Sequence, residues 1–453
     1  MSAAPRTPAL APFSIRAFRF QWPADLATSW AFEMETLILG WYVLVETRSV
    51  FMLTVFASLL YIGTLLAPMF GVMGDRIGHR NLLCAMRSVY ATCAITLMTF
   101  TFLGILEPGL VLAVTAIVGL VRPSDIGMRA ALVGETMPPD RLVGALGIQR
   151  TTQDSARIAG ALTGAGLVAT LGMGPAYIVV SCFYVISILL TLRAGSARVE
   201  RHPPVAGART AARPRDTSAD GQVSAAGTMT RSPQTAGFAG NESARLSPWR
   251  DLKEGIGYVW HTPHLRAAML LAFLLNLTAF PLFNNLLPVV AKDVYLSDQT
   301  TLGYMVAGAA SGALTGSIVL SRFAHRVPPA RMMIIFSMAW YAMLLVFARA
   351  PDPAIGIPVL VLTGFVQSLG MVPGTAMLLR NSDEQFRGRI MGIRMLALYG
   401  NLPGLLLSAP LIASIGYPNT ATLYCAIGIL FTLIIAVRWR AQLWRLDAPA
   451  NKR

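Results

Sequence analysis

Apolar runs of about 20 residues recur along most of this chain, and a helix of that length crosses the hydrocarbon of a bilayer. Inside hydrocarbon every backbone N–H and C=O must be bonded within the protein, which forces each run into a helix. Composition agrees with that reading. The 453 residues are 55% hydrophobic and 13% charged, against about 25% charged in soluble domains. The expectation is an all-α, multi-pass membrane protein.

Spans are expected near 22–46, 50–74, 82–105, 109–134, 142–171 and 175–194, then near 265–290, 300–322, 330–349, 354–379, 388–414 and 418–438. Twelve transmembrane helices therefore fall into two six-helix bundles, 21–194 and 264–440. Flanking them are an N-terminal tail (1–20) and a C-terminal tail (441–453). Residues 195–246 are rich in Ala, Arg, Pro, Ser and Thr and poor in large apolar side chains, so they are read as a disordered linker. Residues 247–263 open with Ser-Pro and place Leu252, Ile256, Val259 and Trp260 at helical spacing. They are expected to form an amphipathic helix at the bilayer interface.

The formal charge is +15. A nucleic-acid partner is not needed to explain it, because membrane proteins gather Arg and Lys in cytoplasmic loops. Here the basic loops alternate with short loops poor in Arg and Lys, which places both termini and the linker in the cytoplasm. Only Lys253, Lys292 and Lys452 are lysines, a bias that fits a bacterial source; in a bacterium the expected location of such a multi-pass helical protein is the inner membrane. Four cysteines lie in or beside apolar runs with no paired spacing, so no metal site is expected. The N-terminus carries no signal-peptide pattern.

Between the second and third runs the chain reads Gly71-Val72-Met73-Gly74-Asp75-Arg76-Ile77-Gly78-His79-Arg80, a glycine-punctuated charged turn. Gly71, Asp75, Arg76, Gly78 and Arg80 resemble the loop 2–3 signature of the major facilitator superfamily. With two six-helix halves and a central linker, the chain resembles that fold over nearly its whole length outside the tail and linker. Leu39 to Leu44, Asp251 to Trp260 and Arg387 to Gly392 are similar to the bacterial enterobactin-exporter-like branch. The resemblance implies a monomeric secondary transporter that moves a small molecule by alternating access. It also implies that the loop carrying Asp75 meets the start of helix 11, near Arg387, when the cytoplasmic side closes. Ser382 to Gln385 fit a capping box ahead of that helix.

Helix 5 carries Gly160, Gly164 and Gly166, similar to a glycine motif of exporters but with Ala161 at its proline position. Such small residues let helices approach closely, with or without a meaning for transport direction.

A charge at mid-membrane costs about 2.5–3.5 kcal/mol on insertion scales, so charges within spans mark candidates. Helix 1 holds Asp25, Glu33 and Glu35. At about 100° per residue, Glu33 and Glu35 diverge by about 200°. One can face a central cavity while the other meets a neighbouring helix. Either could carry a proton or bind a cationic group, or serve as a structural ion pair. Arg122 in helix 4 is the natural partner for a helix 1 carboxylate, and Pro123 beside it removes a backbone donor. Asn284 and Asn285, flanked by Pro281 and Pro288, suggest a broken helix 7 beside a transport site. Arg150, Asp154 and Arg157 share one face of helix 5 and are assigned, with Asp75, Arg129 and Glu135, to a cytoplasmic gating network.

No HExxH, GxSxG or Walker A pattern is present, so neither an enzyme nor an ATP-driven pump is expected, and no cofactor. The expectation is a proton-coupled exporter (antiporter) of a siderophore-like or drug-like molecule, the alternatives being an importer of a small metabolite or a non-transport membrane enzyme or receptor.

Overall fold

The computed structural model describes residues 11–194, 257–323, 329–380 and 397–446. Among the described residues every regular element is helical. The first half comprises α1 (Arg16–Thr47), α2 (Val50–Leu59), α3 (Ala67–Ile77), α4 (His79–Phe102), α5 (Pro108–Thr136), α6 (Pro139–Leu171) and α7 (Met173–Arg193). The second comprises α8 (Pro263–Phe280), α9 (Gln299–Phe323), α10 (Pro329–Ala348), α11 (Pro353–Arg380), α12 (Asn401–Ile415), α13 (Tyr417–Arg438) and the short α14 (Arg440–Leu446). Elements α2 and α3 are two parts of one crossing, joined through a tighter turn at Ile62–Leu66. Among the described residues the helices are consistent with twelve crossings.

Two expectations about the ends of the bundles change. The first crossing begins inside the expected N-terminal tail, because Phe13 packs edge-on against Phe18 and Trp22 at 5.2 and 5.3 Å. Phe18 is in turn buried with Val133, Met137 and Ala145. The expected C-terminal tail likewise opens with α14. The linker, the first ten residues of the proposed interfacial helix, Ser382 to Gln385 and Arg387 lie outside the described residues, while 257–261 are helical.

The charged stretch at 71–80 is less of a loop than its glycines suggest. Helix α3 runs through Gly71, Asp75 and Arg76 to Ile77, and the chain turns only at Gly78, whose φ is 88°. A side chain there would be strained, which is why glycine occupies it.

In the first half α1 packs along α6 and α7, and α4 packs against α5 and α7. In the second half α11 lies between α9 and α10, and α10 reaches α13. The halves meet along two lines, α6 against α9 and α2 against α12. At the end bearing the Arg-poor loops this contact is tight. A Cβ on Gly303 would stand 2.5 Å from the Cβ of Ala165, and Lys292 Nζ donates to the Leu44 carbonyl at 2.7 Å. Asp298, just ahead of α9, accepts from the Thr301 backbone N–H at 2.9 Å. That bond, with the Thr301 hydroxyl, holds the Asp298 carboxyl below the usual carboxylate range.

Candidate functional site

A polar cavity opens where the two halves face each other, and its walls are set by helix rotation. Glu33, Thr36, Leu37 and Gly40 of α1 face it on one side, with Tyr61 and Arg122 beside them. Asn284 and Asn285 face it from the second half. Arg157 of α6 joins them. The cavity continues toward the Arg-rich end past Ser29, Asp125, Arg150 and Asp154.

The asparagines reach the cavity because the seventh crossing is broken. After α8 the chain widens into two π-helical turns, Pro281–Asn285 and Val290–Val294, separated by Leu286, at φ −98° and ψ 4°, and a short α-helical turn, Leu287–Val289. Leu286 N–H bonds back five residues to Pro281 at 3.0 Å. Such bulges re-aim side chains and often sit at functional sites. Here the break expected from Pro281 and Pro288 delivers Asn284 to Arg157, which donates to its Oδ1 across the interface. This is a direct bond between the halves, and it places Arg157 in the central cavity rather than in the gating network assigned from the sequence.

The two helix 1 glutamates part as their spacing requires. Glu33 lines the cavity, and among the described residues it has no hydrogen-bond or ion-pair partner. Glu35 is 6% exposed and accepts from the Tyr184 hydroxyl of α7 at 2.8 Å, so it is removed from the cavity. Arg122 lies near Glu33 but caps the Phe32 ring, its guanidinium carbon 3.0 Å from the centroid. The cavity thus holds an acid and two guanidinium groups, Arg122 and Arg157, with no ion pair among the three. Arg150 and Asp154 pair at 3.4 Å at its margin.

Asp25 takes a different place from the one expected of a coupling carboxylate. It is buried away from the cavity wall, ion-paired to Arg87 of α4, with Gln149 Nε2 of α6 donating to its Oδ2 at 3.0 Å. Arg87 also donates to Thr191 of α7. Arg129 stands 3.8 Å from the Asp25 carboxylate, pairs with Asp125 one turn back and donates to Ser29 Oγ at 2.8 Å. Two acids and two arginines thereby neutralise one another inside the first half, joining α1, α4, α5, α6 and α7. The sequence reading did not single out Arg87 or Gln149. A charge inside an apolar run was the available signal for Arg87, and nothing marked Gln149 or Tyr184.

The remaining members of the expected gate separate. Glu135 pairs with His79 at 2.7 Å, Arg76 is exposed, and the Asp75 side chain and Arg387 lie outside what is described. Of the three α6 glycines, Gly160 and Gly164 abut α1: Cβ atoms there would meet Glu33 Cβ at 2.7 Å and Met34 Cα at 3.1 Å. Gly166 does not share that packing, because a Cβ there meets nothing within 4 Å.

Comparisons with known proteins bear on the whole arrangement. A family model described as "Major Facilitator Superfamily" matches residues 22–400. The chain is 24% identical over 149 residues to proteins described as "Enterobactin exporter EntS" from Escherichia coli O1:K1 / APEC and from Escherichia coli O45:K1 (strain S88 / ExPEC). That match covers 33% of this chain and spans 35% of each relative. Among solved structures, the POT family transporter PepTSo superposes with a TM-score of 0.67 at 14% identity, covering 94% of this chain and 98% of that one. The nucleoside transporter NupG gives 0.64 at 15% identity over 95% and 99%. A D-xylose-proton symporter gives 0.64 at 11% identity over 92% and 97%. At such identities these likenesses speak for the fold alone. The family match over most of the chain, the crossings and the polar cavity between two halves lead to one conclusion: this chain belongs to the major facilitator superfamily.

Proposed function

We propose that the protein is a proton-coupled exporter of a small organic molecule, siderophore-like or drug-like, working as an antiporter by alternating access. It would act as a monomer in a bacterial inner membrane with both termini in the cytoplasm. The observation that carries the proton coupling is Glu33, an unpaired carboxyl on the cavity wall beside Arg122. Ionised, it accepts charge-assisted hydrogen bonds from hydroxyl or amino groups of the cargo; protonated, it loses its charge, one oxygen becomes a donor, and its hold on those groups weakens. Asn284, Asn285 and Tyr61 offer further donors and acceptors for a polyfunctional cargo. Export is favoured by the partial likeness to the enterobactin exporters and by the small-residue face of α6.

The same three charges favour a second reading, an importer. An anionic cargo held between Arg122 and Arg157 is bound best when Glu33 is neutral, so proton and anion would travel together. The two readings have opposite signs. Antiport requires tighter cargo binding as pH rises, and symport tighter binding as pH falls. Uptake into inside-out vesicles driven by an interior-acid gradient is the deciding measurement. Export predicts cargo accumulation inside, lost on collapsing the gradient and reduced at least tenfold in Glu33→Gln. Accumulation only with the gradient reversed, or full activity in Glu33→Gln, would overturn it.

A further inference from the structure

At the Arg-rich end of the second half, arginines from four elements converge on tryptophan rings, Arg331 of α10 among them at 5.3 Å from the Trp444 centroid. Arg266, in the first turn of α8, has its guanidinium carbon 5.9 Å from the Trp260 centroid and 5.2 Å from that of Trp439. Arg438, the last residue of α13, stands 5.7 Å from Trp439, and Arg440 of α14 stands 4.3 Å from Trp444. A ring face occupies the flat side of a guanidinium and leaves its edge N–H donors unused. The Nε of Arg266 is buried without a hydrogen-bond partner.

No acid among the described residues balances the charges of Arg266, Arg438 and Arg440. The acids described in the second half, Asp293, Asp298 and Asp352, lie in the opposite, Arg-poor loops. The cluster sits where membrane-crossing helices begin and end, which is the depth of lipid headgroups. Trp260 and Trp444 are 58% and 41% exposed there, as tryptophans at a bilayer interface are. A soluble polyanion would not require exposed indoles beside its charges; a headgroup with acyl chains below it would.

We propose that Arg266, Arg438 and Arg440 form a headgroup site for an anionic phospholipid of the leaflet bordering the Arg-rich loops. The arginine edges hold the phosphate, and the tryptophans pack against its glycerol and upper acyl region. The site ties α8, α13 and α14 together from outside, and it is independent of what the cavity carries.

The test uses the full-length protein in an uncharged detergent, titrated with phosphatidylglycerol, phosphatidylcholine or inorganic phosphate. Bound lipid is counted by native mass spectrometry, and the melting temperature is followed in parallel. Phosphatidylglycerol should bind and raise the melting temperature, with phosphatidylcholine and inorganic phosphate far weaker. Apparent phosphatidylglycerol affinity should fall about fivefold for each arginine removed in Arg266→Gln and Arg438→Gln. Should those variants fail to fold, Arg440→Gln, at an exposed position, carries the test with the same expected fall. Equal binding of the two lipids, unchanged affinity in the variants, or a full response to inorganic phosphate as an adventitious ion only would each overturn the proposal.

Discussion

Residues two positions apart can have unrelated jobs when a helix separates their faces. Glu33 looks into a cavity shared by both halves, while Glu35 is spent on Tyr184 inside one half. Asp25 belongs to neither group. Its pairing with Arg87 is buried on both sides, at 4% and 1% side-chain exposure. Removing one member of such a pair leaves an uncompensated charge and typically costs about 3–5 kcal/mol, whereas removing both is far milder. Arg87→Met should therefore lower the denaturation midpoint more than the double variant Asp25→Leu with Arg87→Met. Recovery in the double should be partial, because Arg129 and Gln149 also face Asp25. A double variant less stable than both singles would remove the pair from its place at the centre of the first half.

At the scale of elements, α6 couples the packing of small residues to the position of a functional acid. Gly160 lies against the Cβ of Glu33 and against the Trp30 carbonyl, 3.0 Å from a built Cβ. Trp30 is fixed to the same helix by Nε1 donating to Thr163 Oγ1 at 2.8 Å. Any side chain at 160 must push α1 aside, moving Glu33 relative to Arg122. Gly160→Val is expected to depress transport at least tenfold while the protein still inserts, and Gly166→Ala, which enters open space, should transport like the parent. Vesicle transport normalised to inserted protein checks both. Equal effects at the two positions would mean that the glycines act through helix flexibility instead of close approach.

Across the whole molecule, charge is distributed unequally. The first half contains a neutralised ionic core, and the second meets the cavity with asparagines on a broken helix. Rocking of the halves must break and remake contacts at each end in turn. Gly303 against Ala165 and Lys292 against Leu44 close the Arg-poor end. At the other end, Asp75 sits in the last turn of α3, and the family resemblance implies that it meets the start of the eleventh crossing. Asp75→Asn should bias the molecule away from the state closed at the Arg-rich end, slowing transport on the order of tenfold for about 1.4 kcal/mol of lost bias. Membrane insertion and ligand binding should persist. Unchanged transport in Asp75→Asn would show that this end closes without the acid.

The apolar runs by themselves determined the number of crossings, their approximate limits and the class of fold. Bilayer thickness and backbone hydrogen bonding leave a run of that length no other form. Proline positions disclosed the broken seventh crossing, and helical spacing disclosed that Glu33 and Glu35 must part. Spacing on one helix fixes only relative directions, however. Its rotation about its own axis is set by the neighbours it packs against. Only the tertiary structure therefore decided that Glu33, not Glu35, faces the cavity, and that Asp25 is held by Arg87. The same holds for the bond from Arg157 to Asn284, whose residues lie 127 positions apart. No pattern in one dimension contains that distance; the packing of α6 and the widened turn after α8 create it.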